Sequence, residues 1–292
     1  GIRDYKVTGV QTLLFRSALS ILRLIHEPPG KIAEGMVLYQ GKDLLKLTDK
    51  EIRRIRGNEI SMIFQEPMSS LNPVFTVGKQ ISEVLAVHQQ MNKADATYKA
   101  IELIKLVGIP NPEKFMKNYP HQLSGGMRQR IMIAIALACN PKILIADEPT
   151  TALDVTIQSQ ILKLMQDLKE KLGTAIIIIT HDLGVVAQLA ENIMIMYAGK
   201  AVEYGDTVSI FKNPLHPYTE GLLDSIPKIY ESLKRLKTIE GTAPSPFNLP
   251  KGCKFSDRCR HVMDICKEKE PEYVTLNQNR KVRCWKYSGD KR

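Results

Sequence analysis

The chain has 292 residues, of which 41 are Lys or Arg and 31 are Asp or Glu, and 43% are hydrophobic. A charged fraction of 25% beside this apolar content is typical of a globular protein and excludes wholesale disorder or a collagen-like repeat. The longest apolar run, 131–139, has nine residues, whereas a membrane span needs about 20. Because no basic-then-apolar leader is found near Gly1, we expect a reducing cytoplasm as the compartment.

The positive charge is concentrated towards the end of the chain. The net charge is +10, and residues 251–292 carry twelve Lys and Arg against six Asp and Glu. A basic surface of this kind serves nucleic acid, an anionic membrane face or phosphate ligands, and it says little about fold. A solvated basic tail is the alternative, so the charge alone does not select a partner.

The first part of the chain changes from strand-like to helix-like patterns. Residues 35–41 and 59–65 have the alternation and β-branched content of strands. Apolar residues then recur every three or four positions over 78–106 and again over 124–139. This spacing predicts helices in both segments.

The middle of the chain predicts a parallel sheet. Two continuous apolar runs, 142–146 and 175–179, flank a helical pattern over 158–172. Short runs of this kind are typical of strands buried on both faces of a parallel sheet. The strand–helix–strand order therefore predicts an α/β fold. A hairpin over 193–204 and a Pro-rich linker over 241–250 are expected to follow.

Polar side chains follow three of these strand candidates. Asp147 and Glu148 come after the first continuous run, His181 follows the second, and Gln65 closes an earlier strand candidate. Ligands bind at the carboxyl ends of strands in open α/β sheets, so we expect these side chains on one edge. Asp147 would hold Mg²⁺, Glu148 would orient or deprotonate an attacking water, and His181 would contact a γ-phosphate. Structural polar groups at strand ends are the alternative.

A second candidate site is the segment Leu123–Arg130, which reads Leu-Ser-Gly-Gly-Met-Arg-Gln-Arg. Ser124 occupies the position of a helix N-cap. Gly125 and Gly126 would let a bulky anion approach the free N–H groups of the helix start, where partial positive charge accumulates. The segment predicts a phosphate-binding helix start, and an ordinary capped helix is the alternative.

These segments resemble the motifs of ATP-binding cassette (ABC) proteins. Leu123–Arg130, which includes Gln129, resembles the ABC signature motif, and 143–149 resembles the Walker B motif. Asp154 lies in a segment that resembles the D-loop. His181 resembles the switch histidine and Gln65 resembles the Q-loop glutamine. The order and spacing of all five motifs fit the family.

Within ABC proteins, the chain resembles the ATPases of oligopeptide and dipeptide importers. The resemblance rests on 64–73, 213–218 and the tail from Gly252 to Cys259, and it covers roughly 17–287. It implies an α/β ABC-type nucleotide-binding domain with a parallel core sheet, an antiparallel β part and a helical subdomain. A small Cys-containing C-terminal appendix follows this domain.

The resemblance also implies a division of the chain. We expect the ABC ATPase domain over 17–240, with the helical subdomain at about 78–140, and a C-terminal region of the oligopeptide-transporter type over 241–292. Residues 1–16 are set apart as an atypical segment.

The implied function is that of an ATP-hydrolysing subunit that powers peptide import. ATP and Mg²⁺ would lie between the Asp147 and Glu148 side of one subunit and Ser124–Gly126 of a second ABC ATPase subunit. The other implied partners are two transmembrane permease subunits and, indirectly, a periplasmic or extracellular peptide-binding protein. The subunit would lie peripherally on the cytoplasmic side of the cell membrane, and no nucleic acid is expected as a partner.

One expected motif of the family is not found in the sequence. No G-x-x-x-x-G-K-[ST] loop, whose N–H groups and Lys cradle the phosphates, occurs in the chain. Residues 17–25 resemble the helix after this loop, and the expected Lys and Ser would fall at about Leu14 and Phe15. We interpret residues 1–16 as foreign or misassembled sequence joined to a truncated gene. We therefore expect severely weakened ATP binding and no useful hydrolysis in the chain as written.

Four cysteines occur close to the end of the chain. Cys253, Cys259, Cys266 and Cys284 are separated by five, six and seventeen residues. A cytosolic setting argues against disulfides, and the spacing lacks the paired C-x₂-C of common zinc modules. Four thiolates hold Zn²⁺ or an iron–sulfur cluster, and the resemblance points to a [4Fe–4S] cluster. Unliganded thiols are the alternative, and Cys139 is expected to be a packed core residue.

Two other functions remain open at this stage. A soluble ABC ATPase that acts on nucleic acid is permitted by the pI of about 9.3, although the chain has neither heptads nor a second ATPase half. A catalytically silent ABC partner subunit is suggested by the absence of the phosphate-binding loop. Salt-dependent nucleic-acid binding would support the former, and ATPase activity would exclude the latter.

Overall fold

The structure, a computed structural model, describes most of the chain. The described residues are 17–28, 30–65, 70–151, 153–226, 238–277 and 279–288. They form two compact units, of which the first ends at His181 and the second begins at Asp182. Residues 1–16, the segment interpreted above as foreign, lie outside the described residues.

The first unit combines a short hairpin, a parallel sheet and a group of helices, and residues 17–21 are also helical. Its named elements are β1 (Leu38–Tyr39), β2 (Lys42–Asp43), α1 (Asp49–Ile55), β3 (Ile60–Ile63), α2 (Val77–Gln89), α3 (Lys93–Leu106), α4 (Pro112–Phe115), α5 (Gly125–Leu137), β4 (Ile143–Asp147), α6 (Val155–Leu172) and β5 (Ala175–Ile179).

The predicted parallel sheet is confirmed. The strands lie in the order β3–β4–β5 and all pairs are parallel. Ile63 pairs with Ala146, and Asp147 pairs with Ile179, so the three strands end at the same edge. The expectation that both apolar runs are fully buried holds for β4 but is wrong for β5, where Ile177 is 45% exposed. Among the described strands β5 lies at the edge of the sheet, which leaves part of its surface uncovered.

The helical pattern predicted over 78–106 consists of two helices. Gln90 adopts a left-handed backbone conformation with φ 53° and ends α2. Asn92 then caps α3, because its side chain accepts a hydrogen bond from the backbone N–H of Asp95 at 3.0 Å. Local capping thus interrupts a periodicity that runs through both helices.

The apolar run 131–139 lies in and just after α5, which is buried in the core of the first unit. Ile131, Ile133 and Leu137 are at most 1% exposed and pack with residues of α2, α3 and α6. Cys139 is also buried, as the sequence predicts for a core residue. No helix within the described part of the chain has both the length and the apolar character that a membrane span requires.

The second unit is built on an antiparallel sheet in the order β6–β7–β9–β8. The predicted hairpin is confirmed, because β6 pairs with β7 around a turn at Ala198 and Gly199, both with positive φ. Its elements are α7 (Leu183–Leu189), β6 (Asn192–Tyr197), β7 (Lys200–Asp206), α8 (Thr207–Lys212), α9 (Pro217–Asp224), α10 (Asp264–Glu268), β8 (Val274–Asn277) and β9 (Arg280–Val282).

A buried ion pair connects distant parts of the second unit. Arg280 Nη2 lies 2.7 Å from Glu203 Oε1, and the two side chains are 8% and 0% exposed. Glu203 also accepts hydrogen bonds from the backbone N–H groups of Leu215 and His216, at 2.8 and 3.0 Å. The Glu203 carboxylate on β7 is therefore bonded to both β9 and the Pro-rich turn around Asn213. The carbonyl of Asn213 also accepts a hydrogen bond from Arg280.

Replacing Glu203 by Ala is expected to lower the free energy of unfolding by about 3–5 kcal/mol, because it leaves a buried guanidinium without its counter-charge. Chemical denaturation followed by Trp285 fluorescence measures this change, since Trp285 is the only tryptophan and lies in this unit. Glu220→Ala, which removes an exposed partner of Arg260, is the control and should cost less than about 1 kcal/mol. Equal losses in the two variants would contradict the role of Glu203.

Candidate functional site

The carboxyl ends of the parallel strands bring Gln65, Glu148 and His181 into one hydrogen-bonded group. Gln65 Nε2 donates to Glu148 Oε2 at 2.8 Å. His181 Nδ1 lies 2.9 Å from Glu148 Oε1. A carboxylate only accepts hydrogen bonds, so the geometry assigns the proton of this contact to Nδ1. The sheet thus brings together three side chains that the sequence placed at three separate strand ends.

Glu148 is held as a carboxylate by its neighbours. It is 7% exposed, and burial alone would raise its pKa. Hydrogen bonds from Thr151, His181 and Gln65 outweigh burial and hold the pKa of Glu148 below its usual value. Glu148 is therefore ionised at neutral pH, which is the state that a proton acceptor requires.

Thr151 is a member of this group that the sequence reasoning missed. Its Oγ1 donates to Glu148 Oε2 at 2.8 Å, and its backbone N–H donates to the Glu148 carbonyl at 3.1 Å. The sequence does contain an indication of this contact, because Thr151 carries a hydroxyl group and stands three positions after Glu148, with Pro149 between them. A turn of this kind brings the first and fourth residues together.

The backbone of Glu148 contributes to its placement. Its φ is 45°, in the left-handed region that non-glycine residues seldom occupy. Its N–H donates to the carbonyl of Ile179 at 2.8 Å, which continues the pairing with β5 for one residue beyond β4. The chain therefore turns at Glu148 while it remains bonded to the neighbouring strand.

Asp147 has the properties expected of a cation ligand. It is 2% exposed, and its Oδ2 has no hydrogen-bond partner among the described residues. Burial and the adjacent charge of Glu148 raise the pKa of Asp147 to about 6. A buried carboxylate oxygen without a partner is costly, and a hard divalent cation satisfies it. The residue therefore fits the Mg²⁺ role predicted from the sequence.

The signature-like segment forms a capped helix start, as its sequence predicts. Ser124 Oγ accepts a hydrogen bond from the backbone N–H of Met127 at 3.3 Å, which caps α5. Asp154 caps α6 in the same way, because its Oδ1 accepts from the N–H of Ile157 at 2.9 Å. Ser124 and Asp154 are both exposed, whereas Gln129 is buried in the same unit.

Gly126 has a packing role that the sequence did not reveal. A Cβ atom on Gly126 would lie 2.8 Å from Ile157 Cγ2, so a side chain there would force Ile157 to move. A Cβ atom on Gly125 would meet only Leu153 Cδ2, at 3.8 Å. Of the two glycines, Gly125 is the one with open space beside it.

The four C-terminal cysteines lie close to one another in the second unit, and no cysteine of the chain forms a disulfide. Burial, together with the neighbouring thiols of Cys266, Cys284 and Cys259, raises the pKa of Cys253 to about 11. Burial likewise raises the pKa of Cys259 and Cys284. Among the described residues, no three His, Cys, Asp or Glu side chains converge as ligands of a single metal ion.

Comparison with known proteins places the chain in a family. Residues 17–151 match the family described as ABC transporter, and residues 202–266 match the oligopeptide/dipeptide transporter C-terminal region. The chain is 54% identical over 271 residues to the oligopeptide transport ATP-binding protein AppD of Bacillus subtilis, covering 93% of this chain and 83% of AppD. The chain belongs to the oligopeptide/dipeptide family of ABC transporter ATP-binding subunits. This ABC subunit is also 50% identical to the dipeptide transport ATP-binding protein DppD of B. subtilis, over 91% of the chain and 79% of DppD.

Solved structures support the same fold for this ABC subunit. The ATP-binding cassette MJ0796 bound to ADP and Pi has a TM-score of 0.56 and 30% identity, over 65% of this chain and 80% of MJ0796. The cbiO1 structure from Clostridium perfringens has a TM-score of 0.58 and 27% identity, over 72% of this chain and 77% of cbiO1. The fold is therefore that of an ABC-type nucleotide-binding protein, and the family is one of ABC-type ATPases.

Gly126→Ala is expected to lower the free energy of unfolding of the first unit by about 1–3 kcal/mol, because the new methyl group overlaps the stiff side chain of Ile157. Gly125→Ala is the matched control and should leave stability nearly unchanged. Thermal unfolding followed by circular dichroism compares the two variants. A loss in Gly125→Ala as large as that in Gly126→Ala would show that the contact with Ile157 is not the cause.

Proposed function

We propose that this chain is the ATP-hydrolysing subunit of an importer of oligopeptides or dipeptides, and that hydrolysis at its own site is impaired because the sequence as written contains no G-x-x-x-x-G-K-[ST] loop. The observation that carries the proposal is the Glu148 carboxylate, fixed by three donors at the carboxyl edge of a parallel sheet. The names of the relatives, oligopeptide transport and dipeptide transport ATP-binding proteins, support the substrate class. In this function Glu148 and His181 are the catalytic residues.

The proposed chemistry is the activation of water next to a nucleotide. Asp147, whose Oδ2 has no hydrogen-bond partner in the described part of the chain, would hold the Mg²⁺ that accompanies ATP, and this cation neutralises phosphate charge. Glu148 accepts the proton of the attacking water. Gln65, His181 and Thr151 keep the carboxylate ionised and fix its direction. A base whose direction is fixed by three donors needs no rearrangement before the proton moves.

We further propose that a second ABC ATPase subunit completes the nucleotide site. Ser124, Gly125, Gly126 and Asp154 would serve the ATP bound by the partner, whereas Gln129, which is 3% exposed, would support this helix start from inside its own unit. Support comes from the exposed helix starts at Ser124 and Asp154 and from Val155, which is 84% exposed beside the cap of α6. A dimeric structure of MJ0796 is also among the similar solved structures, with a TM-score of 0.57 and 29% identity.

The proposed contact with the two permease subunits lies on the helical subdomain, at about 78–140. A groove of about 670 Å³ opens there and is lined mainly by α2 and α3, with Phe75 and Met116 at its side. A permease at this surface places the subunit peripherally on the cytoplasmic side of the membrane, with the peptide-binding protein outside. In this arrangement 17–240 is the ATPase domain and 241–292 the appended region.

We also propose that the chain as written binds ATP weakly, because its sequence contains no G-x-x-x-x-G-K-[ST] loop. A MgATP titration of the purified chain tests this expectation. We expect no saturation at millimolar nucleotide. Saturation at micromolar MgATP would overturn the proposal, since a phosphate-binding element would then exist elsewhere in the chain.

Because the sequence contains no G-x-x-x-x-G-K-[ST] loop, a catalytically silent ABC partner subunit is a second candidate function. Peptide uptake by the importer, reconstituted with its permease subunits in vesicles, separates the two functions. Glu148→Gln removes the proton acceptor of this chain's own site. Ser124→Asn removes the signature hydroxyl but keeps a good helix cap.

If this chain's own site hydrolyses ATP, Glu148→Gln should reduce uptake by about 100-fold or more, as the loss of a catalytic group does. If the chain is a silent partner, Ser124→Asn should reduce uptake while Glu148→Gln has no effect. Uptake that neither variant changes would contradict both functions.

We propose that Cys253, Cys259, Cys266 and Cys284 hold a [4Fe–4S] cluster, with Zn²⁺ as the alternative ligand. The support is the hydrogen bonding of the sulfurs: Cys253, Cys259 and Cys284 each accept a backbone N–H from the residue two positions later. Such bonds stabilise thiolates. The ligands of a cluster bind different iron atoms and need not converge on one point, so a cluster fits this arrangement better than zinc.

Anaerobic reconstitution of the purified chain with iron and sulfide tests this centre. We expect about four iron and four sulfide per chain, with visible absorption of a cluster. A chain in which all four cysteines are replaced by Ser is the control. Zinc content without iron uptake would establish the alternative, and uptake equal to that of the control would exclude both.

A further inference from the structure

Glu270 in the second unit faces three cations at once. Its Oε1 lies 3.1 Å from Lys200 Nζ and 3.5 Å from Arg283 Nη1, and its Oε2 lies 3.7 Å from Lys254 Nζ. The Glu270 side chain is 27% exposed. The proposed ATPase chemistry uses neither Glu270 nor its three cationic neighbours, so this group of charges has a different role.

Two of the three cations are sequence neighbours of proposed cluster ligands. Lys254 follows Cys253 and Arg283 precedes Cys284. The third cation, Lys200, begins β7. One carboxylate therefore joins the two cysteine-bearing segments to each other and to the central sheet of the unit.

Three of the cysteines are held together without Glu270. The backbone N–H of Cys253 donates to the carbonyl of Cys266 at 2.8 Å, and a Cβ atom on Gly252 would lie 2.2 Å from that carbonyl oxygen. The N–H of Ser256 donates to the Cys253 carbonyl at 3.0 Å, and the N–H of Cys259 to the Ser256 carbonyl at 3.3 Å. This compact stretch fixes three ligands by backbone bonds alone.

Cys284 reaches the group from a different part of the chain, beyond β9. Arg283 N–H donates to the carbonyl of Val202 at 2.8 Å, which fixes the segment to β7. Trp285 Nε1 donates to the carbonyl of Lys269 at 3.0 Å. Arg283 Nη1 also donates to the carbonyl of Pro271 at 3.2 Å. Beside these bonds, the bridge Arg283–Glu270–Lys254 links Cys284 directly to the segment of Cys253.

We propose that Glu270 is a positioning residue for the four-cysteine centre, because it holds Cys284 in place against the segment that carries the other three cysteines. The inference rests on the proposed [4Fe–4S] centre. Outer-shell groups that orient metal ligands typically contribute 10- to 100-fold to metal affinity. Glu270 acts through Lys254 and Arg283 and does not itself bind the cluster.

Glu270 has a second, electrostatic effect on the same centre. With Glu270 ionised, its charge offsets one of the three surrounding cations. If it becomes neutral, the region gains one net positive charge, which favours the more negative, reduced state of a cluster. The reduction potential therefore reports the charge of Glu270, whereas the rate of iron release reports how firmly Cys284 is held.

The test compares Glu270→Gln with Glu268→Gln, which makes the same charge change at an exposed residue that has no ion pair in the described part of the chain. After anaerobic reconstitution of the full chain, iron release to a chelator and the reduction potential are measured. We expect Glu270→Gln to release iron at least about tenfold faster than the wild type, with a more positive potential. Glu268→Gln should resemble the wild type in both.

Thermal unfolding of the metal-free proteins shows whether Glu270→Gln folds. If it does not, Lys254→Met is the second variant. It removes the contact with Glu270 and the bond from Lys254 Nζ to the Pro250 carbonyl at 2.6 Å, and it leaves Glu270 paired with Lys200 and Arg283. Faster iron release in Lys254→Met supports the inference, and release at the wild-type rate overturns it.

The outcomes separate this inference from the proposed centre. If the wild-type chain takes up neither iron nor sulfide, the centre is absent and the inference fails with it. If the wild type loads and Glu270→Gln releases iron at the same rate and potential, the centre stands and the role of Glu270 is overturned.

Discussion

The parallel register of β3, β4 and β5 determines where the chemistry of this chain lies. Because the three strands start and end together, the residues that follow them meet at one edge. Glu148 occupies the middle of that edge and receives donors from both sides, Gln65 from the β3 side and His181 from the β5 side. The buried α5 behind the sheet keeps this register fixed, since slippage would expose its apolar surface.

The sheet and its edge could be predicted from sequence because the signals are local and strong. Continuous Ile-rich runs indicated the parallel strands, and the polar residue after each run indicated the site. The break at Gln90 was missed because helical periodicity continues across it, and only a capping Asn marks the new start. Thr151 was missed because its role depends on a turn geometry, and the packing role of Gly126 because it depends on how closely two helices approach.

Two carboxylates connect distant segments of the second unit. Glu203 joins β7, β9 and a Pro-rich turn, and Glu270 joins the segments of two cysteines to the start of β7. Neither pairing is visible in the sequence, because Glu203 and Arg280 are 77 positions apart and no local pattern relates them. These ion pairs and hydrogen bonds add to an apolar core around Tyr197, Tyr218 and Phe255.

The alternation of side chains along β4 restricts which insertions and deletions the strand can accept. Asp147 and Glu148 are adjacent, yet one presents an unpartnered oxygen for a cation and the other accepts three hydrogen bonds. Adding or removing one codon within β4 would turn the Asp147 carboxylate to the opposite face of the sheet, since successive residues of a strand face opposite sides. A change of two codons would restore its direction but move it by about 7 Å along the sheet. The strand therefore tolerates substitution at its apolar positions far better than any change in its length.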